Sequence, residues 1–261
     1  MPKRTSYAPG TPCWVDVMTG DVAGVTAFYT DLFGWDVEEQ RDENSGHIYT
    51  MFTSGGQTVA GLGGLPPGME NLPTVWNSYI SVADAEATVA AIEQAGGQVF
   101  MPAMQVFDAG VMAVAADPTG ANFRIWQPLA HVGAGLVNEA NTYGWNELIT
   151  RDIDGAKKFY SDVFGWGYDG MDMGSGEYWV VQGGESGGLA GLMARPPAMP
   201  AEAPDSWFVY FLVDDIDAIV QRAARTGGQA LFGPQSMPGV GIIATVGHPV
   251  GGVFALMQPG G

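Results

Sequence analysis

The chain begins with strict alternation. In "CWVDVM", Trp14, Asp16 and Met18 fall on one side and Cys13, Val15 and Val17 on the other, the two-residue period of a strand. After Gly20 the period lengthens. Val25, Phe28, Tyr29 and Leu32 recur at helical spacing, with Asp21 placed as an N-cap and Gly34 where a left-handed cap belongs. Short extended segments punctuated by Gly and Pro continue to Pro67. A second alternating run, "VWNSYISV", leads into a second helix from about Asp84 to Ala95, closed by Gly96-Gly97. Three more extended segments follow, among them "GVMAVAADP" and "ANFRIWQP". The predicted order is β-α-β-β-β written twice.

The whole pattern then returns. "FYTDLFGW" at 28–35 reappears 131 residues later as "FYSDVFGW" at 159–166, and the same offset carries Trp14 onto Trp145 and Val82 onto Val213. It also carries "GGQ" at 96–98 onto 227–229. In the middle the offset slips by one residue, pairing "VAGL" from Val59 with "LAGL" from Leu189, and is regained before Trp76 and Trp207. Self-similarity of this length means two copies of one domain. The expected division is 1–130, a linker at 131–141, and 142–261, with each copy of a size to bury its own core.

Charge narrows the function classes. Asp and Glu number 28 against 10 Lys and Arg, a net charge of −18, and no basic cluster is present to meet phosphates, so nucleic acid is excluded as a partner. No run is apolar and unbroken enough to span a bilayer, and the basic N-terminal residues have no apolar stretch behind them. A single cysteine, Cys13, excludes an internal disulfide framework. These features predict a cytoplasmic chain without membrane attachment. Monomer and homodimer both remain open.

The "FYTDLFGW" run after a strand, the "DPTGA" turn at 117–121 and the doubled β-α-β-β-β plan together resemble the vicinal oxygen chelate superfamily of glyoxalases, bleomycin resistance proteins and extradiol dioxygenases. The likeness extends to tandem two-domain actinobacterial members, a group that includes a mycobacterial 27 kDa antigen and glyoxalase-like proteins of antibiotic gene clusters. The resemblance implies an α+β fold of two tandem domains, each built from two β-α-β-β-β modules closing a cup-shaped mixed sheet. In metal-dependent members a divalent ion sits in the cup. Carried over residue by residue, its ligand positions fall on Asp16, Asn77 and Arg124 and near Ala60 in copy one, and on Glu147, Phe208 and Ala255 and near Ala190 in copy two. Such a site needs about three protein ligands, and neither copy offers them, so no metal and no other cofactor is expected.

Strand alternation then gives the residues that line the cups. In copy two the expected ligand-binding set is Trp145, Glu147, Phe208, Tyr210 and Met257; in copy one it is Trp14, Asn77, Tyr79 and Arg124. Asp16 and Arg124 are expected to meet as an ion pair in place of the ion. Glu147, among aromatic groups, is costly to ionise unless Tyr210 or a ligand hydrogen-bonds it. His47, His131 and His248 do not repeat between copies and read as surface or loop residues. Three functions follow. The first is metal-independent binding of an aromatic or apolar small molecule, a polycyclic one being a candidate, for sequestration or an accessory role in secondary metabolism. The second is enzymatic, a glyoxalase-like lyase or a catalyst using Glu147 or Asp16 as general base. The third is service to a partner oxygenase by holding its substrate or product.

Overall fold

The computed structural model describes residues 3–41, 48–66, 68, 72–172, 176–184, 187–197, 199–200 and 202–260. His47 and Pro67 lie outside them. Copy one runs β1 (Pro12–Thr19), α1 (Val22–Phe33), β2 (Asp36–Arg41), β3 (Ile48–Ser54), β4 (Gln57–Gly64), β5 (Val75–Ser81), α2 (Ala85–Gln94), β6 (Gln98–Val106), β7 (Gly110–Ala116) and β8 (Asn122–Pro128). Copy two repeats the order as β9 (Thr142–Thr150), α3 (Ile153–Phe164), β10 (Tyr168–Asp172), β11 (Glu177–Val181), β12 (Gly191–Ala194), β13 (Ser206–Leu212), α4 (Ile216–Arg225), β14 (Gln229–Met237), β15 (Gly241–Gly247) and β16 (Val253–Pro259).

The helix ends are where the sequence puts them. Asp21 and Asp152 each accept a hydrogen bond from the backbone N–H three residues on, satisfying one of the orphan donors of the first turn. Gly34 and Gly165 close the same two helices at φ 72°, a left-handed conformation that a Cβ would disfavour.

Each copy forms one eight-stranded mixed sheet, in the orders β2-β3-β4-β1-β5-β8-β7-β6 and β10-β11-β12-β9-β13-β16-β15-β14. The central strands pair antiparallel with Asp16 opposite Asn77 and Glu147 opposite Phe208. The sheets curl, and their alternating inner residues line two cups.

The cores differ from the expectation that each copy buries its own. The outer faces of the sheets pack back to back, and Ser78 of β5 donates to Asn146 of β9 across the seam at 2.7 Å. The "FYTDLFGW" helix is buried against both copies. Trp76 of its own copy donates to the Tyr29 hydroxyl at 2.7 Å, while the Tyr29 and Phe33 rings pack on Phe254 and Phe211 of the other. Tyr160 on α3 mirrors this, accepting from Trp207 and packing on Phe123. One apolar cluster therefore joins α1, β1 and β4 to α4, β13 and β16, and the second joins α3, β9 and β12 to α2, β5 and β8. Arg222 of α4 adds a polar tie by donating to the Leu32 carbonyl at the C-terminal end of α1, where a cation is favoured. The octapeptide is repeated because each copy supplies the helix that fills the other's core.

Candidate functional site

The floor of each cup is built from four side chains on three strands, in the same arrangement. In cup one the Trp14 indole N–H donates to the Tyr49 hydroxyl at 3.1 Å, and Tyr49 donates to Asp16 Oδ2 at 3.1 Å. Tyr79 donates to the same oxygen at 2.7 Å. In cup two Trp145 donates to the Tyr178 hydroxyl at 2.9 Å, Tyr178 hydrogen-bonds Glu147, and Tyr210 donates to Glu147 Oε1 at 2.8 Å. Each floor is thus a Trp–Tyr–carboxylate–Tyr relay.

Glycine makes the relay possible. Gly61 and Gly191 stand beside Asp16 and Glu147 in the parallel ladder, and a Cβ there would lie 2.0 and 1.8 Å from the Tyr49 and Tyr178 hydroxyls. Only a bare backbone lets the tyrosine cross β4 or β12 to the acid. The fourth-strand positions expected near Ala60 and Ala190 fall on Gly61 and Gly191, which face the cups, while both alanines are buried on the outer face.

The two cups differ in what surrounds the relay. In cup one Asn77 donates to Asp16 Oδ1 at 2.8 Å, so both carboxylate oxygens are engaged and the residue is 1% exposed. Phe208 replaces that amide in cup two. Burial pushes the Glu147 carboxyl above the usual carboxylate range, and the hydrogen bonds from Tyr210 and Tyr178 oppose the shift. The expected Asp16–Arg124 pair does not form. Asp16 takes its donors from neighbouring strands, whereas Arg124, in ladder register with Tyr79, lays its guanidinium over the Tyr79 ring at 5.5 Å and makes no ion pair among the described residues.

The cups also differ in cover. Backbone bonds from Ala134 to Cys13 and from Gly135 to Thr58 pin the linker across the end of cup one. The His131 ring lies against Trp14 at 4.6 Å and near Trp126 at 5.9 Å. Trp14, Tyr79 and Trp126 are 3–5% exposed, whereas Trp145, Tyr210 and Met257 at the matching places are only half-buried. Beside cup two a cleft of about 240 Å³ is lined by Tyr7, Val137, Tyr143, Trp145 and Leu189, so Trp145 borders both the cup and the cleft.

His131 and His248 lie in loops, as expected, but neither is on the surface. Desolvation lowers each from 6.5 to about 4. His248, 7% exposed, occupies the turn position that Asp117 holds in copy one and packs on Phe28 at 4.4 Å. Tyr49 and Tyr178 were not anticipated. They stand 129 residues apart, so an alignment at 131 with a slip of one does not pair them; the glycine in both "AGL" segments is the signal that a side chain must cross there.

A cup-shaped mixed sheet of doubled β-α-β-β-β modules with an acid at the centre of its floor defines a vicinal-oxygen-chelate protein. The chain belongs to the Glyoxalase/Bleomycin resistance protein/Dioxygenase superfamily, whose family model matches residues 13–125 and 136–252. It is 42% identical over 261 residues to CFP32 of Mycobacterium tuberculosis, provisionally named a glyoxylase, covering 99% of this chain and 98% of that protein. It is 33% identical to the anthracycline biosynthesis protein DnrV of Streptomyces peucetius, covering 97% and 95%. Among solved structures it shares its fold with a Mn(II)-bound glyoxalase from Novosphingobium aromaticivorans, at TM-score 0.64 and 16% identity over 96% of this chain and 82% of that one. The 2,3-dioxygenase LapB from Pseudomonas sp. KL28 matches at TM-score 0.65 and 14% identity over 98% and 94%.

The side chains present do not fit a divalent ion. Each floor offers one carboxylate already bound by tyrosine hydroxyls, and the remaining inherited positions carry an amide and a cation in cup one, and Phe208 and Ala255 in cup two. Among the described residues no three His, Cys, Asp or Glu side chains converge.

Proposed function

We propose that this chain binds a planar aromatic small molecule in cup two, without a metal ion. The carrying observation is that the floor of cup two combines half-buried apolar groups, Trp145, Phe208 and Met257, with one carboxyl held by two tyrosines. A concave, mostly apolar surface with one or two directional polar groups is the usual form of a small-molecule site. Similarity to an anthracycline biosynthesis protein supports a polycyclic ligand, and an accessory or sequestering role in secondary metabolism. Glu147 accepts from a ligand hydroxyl or amine, and the net charge of −18 favours a ligand bearing an amine. The test is titration with a panel of polycyclic aromatic compounds, read as quenching of Trp fluorescence, together with elemental analysis of the gently purified protein. Saturable quenching without stoichiometric metal is expected. One Zn, Mn, Ni or Fe per chain, lost together with binding on chelation, would overturn the metal-free reading.

A second reading rests on the raised Glu147 carboxyl, since a buried acid with a pKa moved toward neutrality is suited to general-base work. Turnover of a bound ligand that disappears in Glu147→Gln while binding persists separates catalysis from binding.

A further inference from the structure

Among the described residues, cup one holds a cation without a counter-ion. Arg124 points into the cup from β8, its guanidinium rests on the Tyr79 ring at 5.5 Å, and its Nε–H is buried with no hydrogen-bond partner. The one acid of the floor is not available to it. Asp16 is occupied by Tyr49, Tyr79 and Asn77. Two residues along β8 on the same face stands Trp126, and against it lies His131, whose Nε2 is also buried without a partner. The Trp126 indole is turned away to donate to the His131 carbonyl at 2.8 Å. Two buried nitrogen groups bordering one cup, both lacking partners among the described residues, are unusual, because buried polar groups are nearly always paired.

We propose that cup one is a separate site for a small carboxylate, held by the Arg124 guanidinium with His131 beside it. The planar guanidinium fork matches a carboxylate in two parallel hydrogen bonds, and Nε–H is one of the donors that geometry uses. The Tyr79 ring lies beneath the guanidinium, its centroid 5.5 Å from it. Arg124 is half-buried, so the group that needs the anion is also the group that solvent reaches, while the rest of the floor lies under the linker. A net charge of −18 disfavours multiply charged anions, which selects a monoanion over a phosphate. The two cups then have opposite polarity, an acid for the ligand in cup two and a base in cup one.

Benzoate and benzamide test this, since they share shape and differ in charge. In ¹⁵N spectra, benzoate is expected to shift the Arg124 Nε–H resonance saturably and benzamide to leave it in place. Calorimetric titration should show benzoate binding weakened at least about tenfold in Arg124→Gln, as expected when a bidentate charged contact is lost. Arg124→Lys, which keeps the charge and loses the fork, should fall between. Benzoate, as a planar aromatic, can also enter cup two, so the site is read at Arg124 itself: Trp145→Ala should leave the benzoate-induced shift of the Arg124 Nε–H resonance unchanged. An equal shift of the Arg124 Nε–H resonance by benzoate and benzamide, an undiminished benzoate titration of cup one in Arg124→Lys, or loss of the Arg124 shift in Trp145→Ala would each overturn the proposal. Inorganic phosphate binding more tightly than benzoate would overturn the carboxylate assignment. Should Arg124→Gln not fold, the lysine variant carries the comparison.

Discussion

The two cups share a relay and diverge in everything around it. In cup one the acid has a third donor in Asn77, Trp14, Tyr79 and Trp126 are buried, and the linker crosses the rim. In cup two Phe208 replaces the amide, the acid is pushed toward neutrality, and the matching aromatics stay half-exposed. Duplication has preserved the parts that position a carboxylate and relaxed the parts that decide what it meets. A framework of Trp, two Tyr and a Gly is therefore common to both copies, and what differs around it is two or three substitutions and a strap.

The largest expected split between the cups is in tryptophan. Trp14→Ala removes a nearly fully buried indole and should cost about 3–5 kcal/mol of stability. Trp145→Ala, at a half-buried position, should cost clearly less stability and instead weaken aromatic ligands by at least about tenfold, a loss of about 1.4 kcal/mol or more. Chemical denaturation and fluorescence titration of the two variants check this. If ligand affinity falls with Trp14 and not with Trp145, the roles of the cups are exchanged.

Much of this was legible in the sequence. The two-residue period placed Trp14, Asp16, Asn77 and Tyr79 on one face, and the capping residues Asp21 and Gly34 set the ends of α1. The Tyr210–Glu147 bond followed from residues on adjacent strands. Three things were not legible, for physical reasons. Periodicity shows that Phe33 is buried but not that Phe211 of the other copy buries it. A shared inner face does not fix side-chain direction, so Asp16 and Arg124, two strands apart, found nearer partners in Tyr79 and Asn77 and in the Tyr79 ring. And because a two-residue change in loop length keeps a strand's facing, the β3 and β11 tyrosines stayed equivalent in space while leaving the sequence offset.

The next effect sharpens the part the cups have in common. Gly61→Ala and Gly191→Ala each place a methyl group where a tyrosine hydroxyl now lies, so the Tyr49 or Tyr178 side chain must leave its acid. Removing a partner from a buried hydrogen bond costs about 1–3 kcal/mol. In cup one this should appear as lost thermal stability, since Asp16 keeps Tyr79 and Asn77 but the floor is closed. In cup two the same change should push the Glu147 carboxyl further up, because one of the two bonds opposing its burial is removed. Thermal melts, and a pH titration of ligand affinity, distinguish these outcomes. Equal stability loss with no change in the Glu147 titration would mean that Tyr178 does not restrain the acid.

The acid response should separate the copies again. His131 over cup one and His248 in the closing turn of copy two are both held neutral, lowered from 6.5 to about 4 by burial. A folded pKa below the unfolded one means that the unfolded chain binds the extra proton. The stabilisation is complete above pH 6.5 and is lost as pH falls from there to about 4. For each histidine the full shift corresponds to about 3 kcal/mol at most, and solvent screening reduces that figure for both. His248→Asp restores the residue that stands at the same place in copy one, where Asp117 accepts from Thr119, Ala121 and Tyr160. That variant should flatten the fall in stability between pH 6.5 and 4 by roughly half, leaving the His131 share. An unchanged slope would show that His248 protonates freely in the folded chain.

The smallest effect lies where the first strand of each copy meets the fifth. In copy one Thr19 and Thr74 share a hydrogen bond at 2.8 Å, a neutral contact. In copy two the partner of Thr150 is Asp205, which also accepts from the Arg151 backbone at 3.0 Å and from Arg195 at 2.6 Å. Burial alone would raise this carboxyl, but the combined hydrogen bonds from Arg151, Arg195 and Thr119 outweigh it and hold it at about 2. Because the folded value is depressed, the stabilisation is present above the ordinary aspartate value of 3.8 and is lost only as pH falls through about 2. Over that range it amounts to about 2 kcal/mol, and it is constant throughout the range in which the histidines titrate. Asp205→Asn should therefore lower stability by a similar amount at pH 5 and pH 7 without altering the slope between them, whereas His248→Asp alters the slope. A pH-dependent loss in Asp205→Asn would mean that the carboxylate is coupled to a group titrating near neutrality, and the separation of the two acid responses would fail.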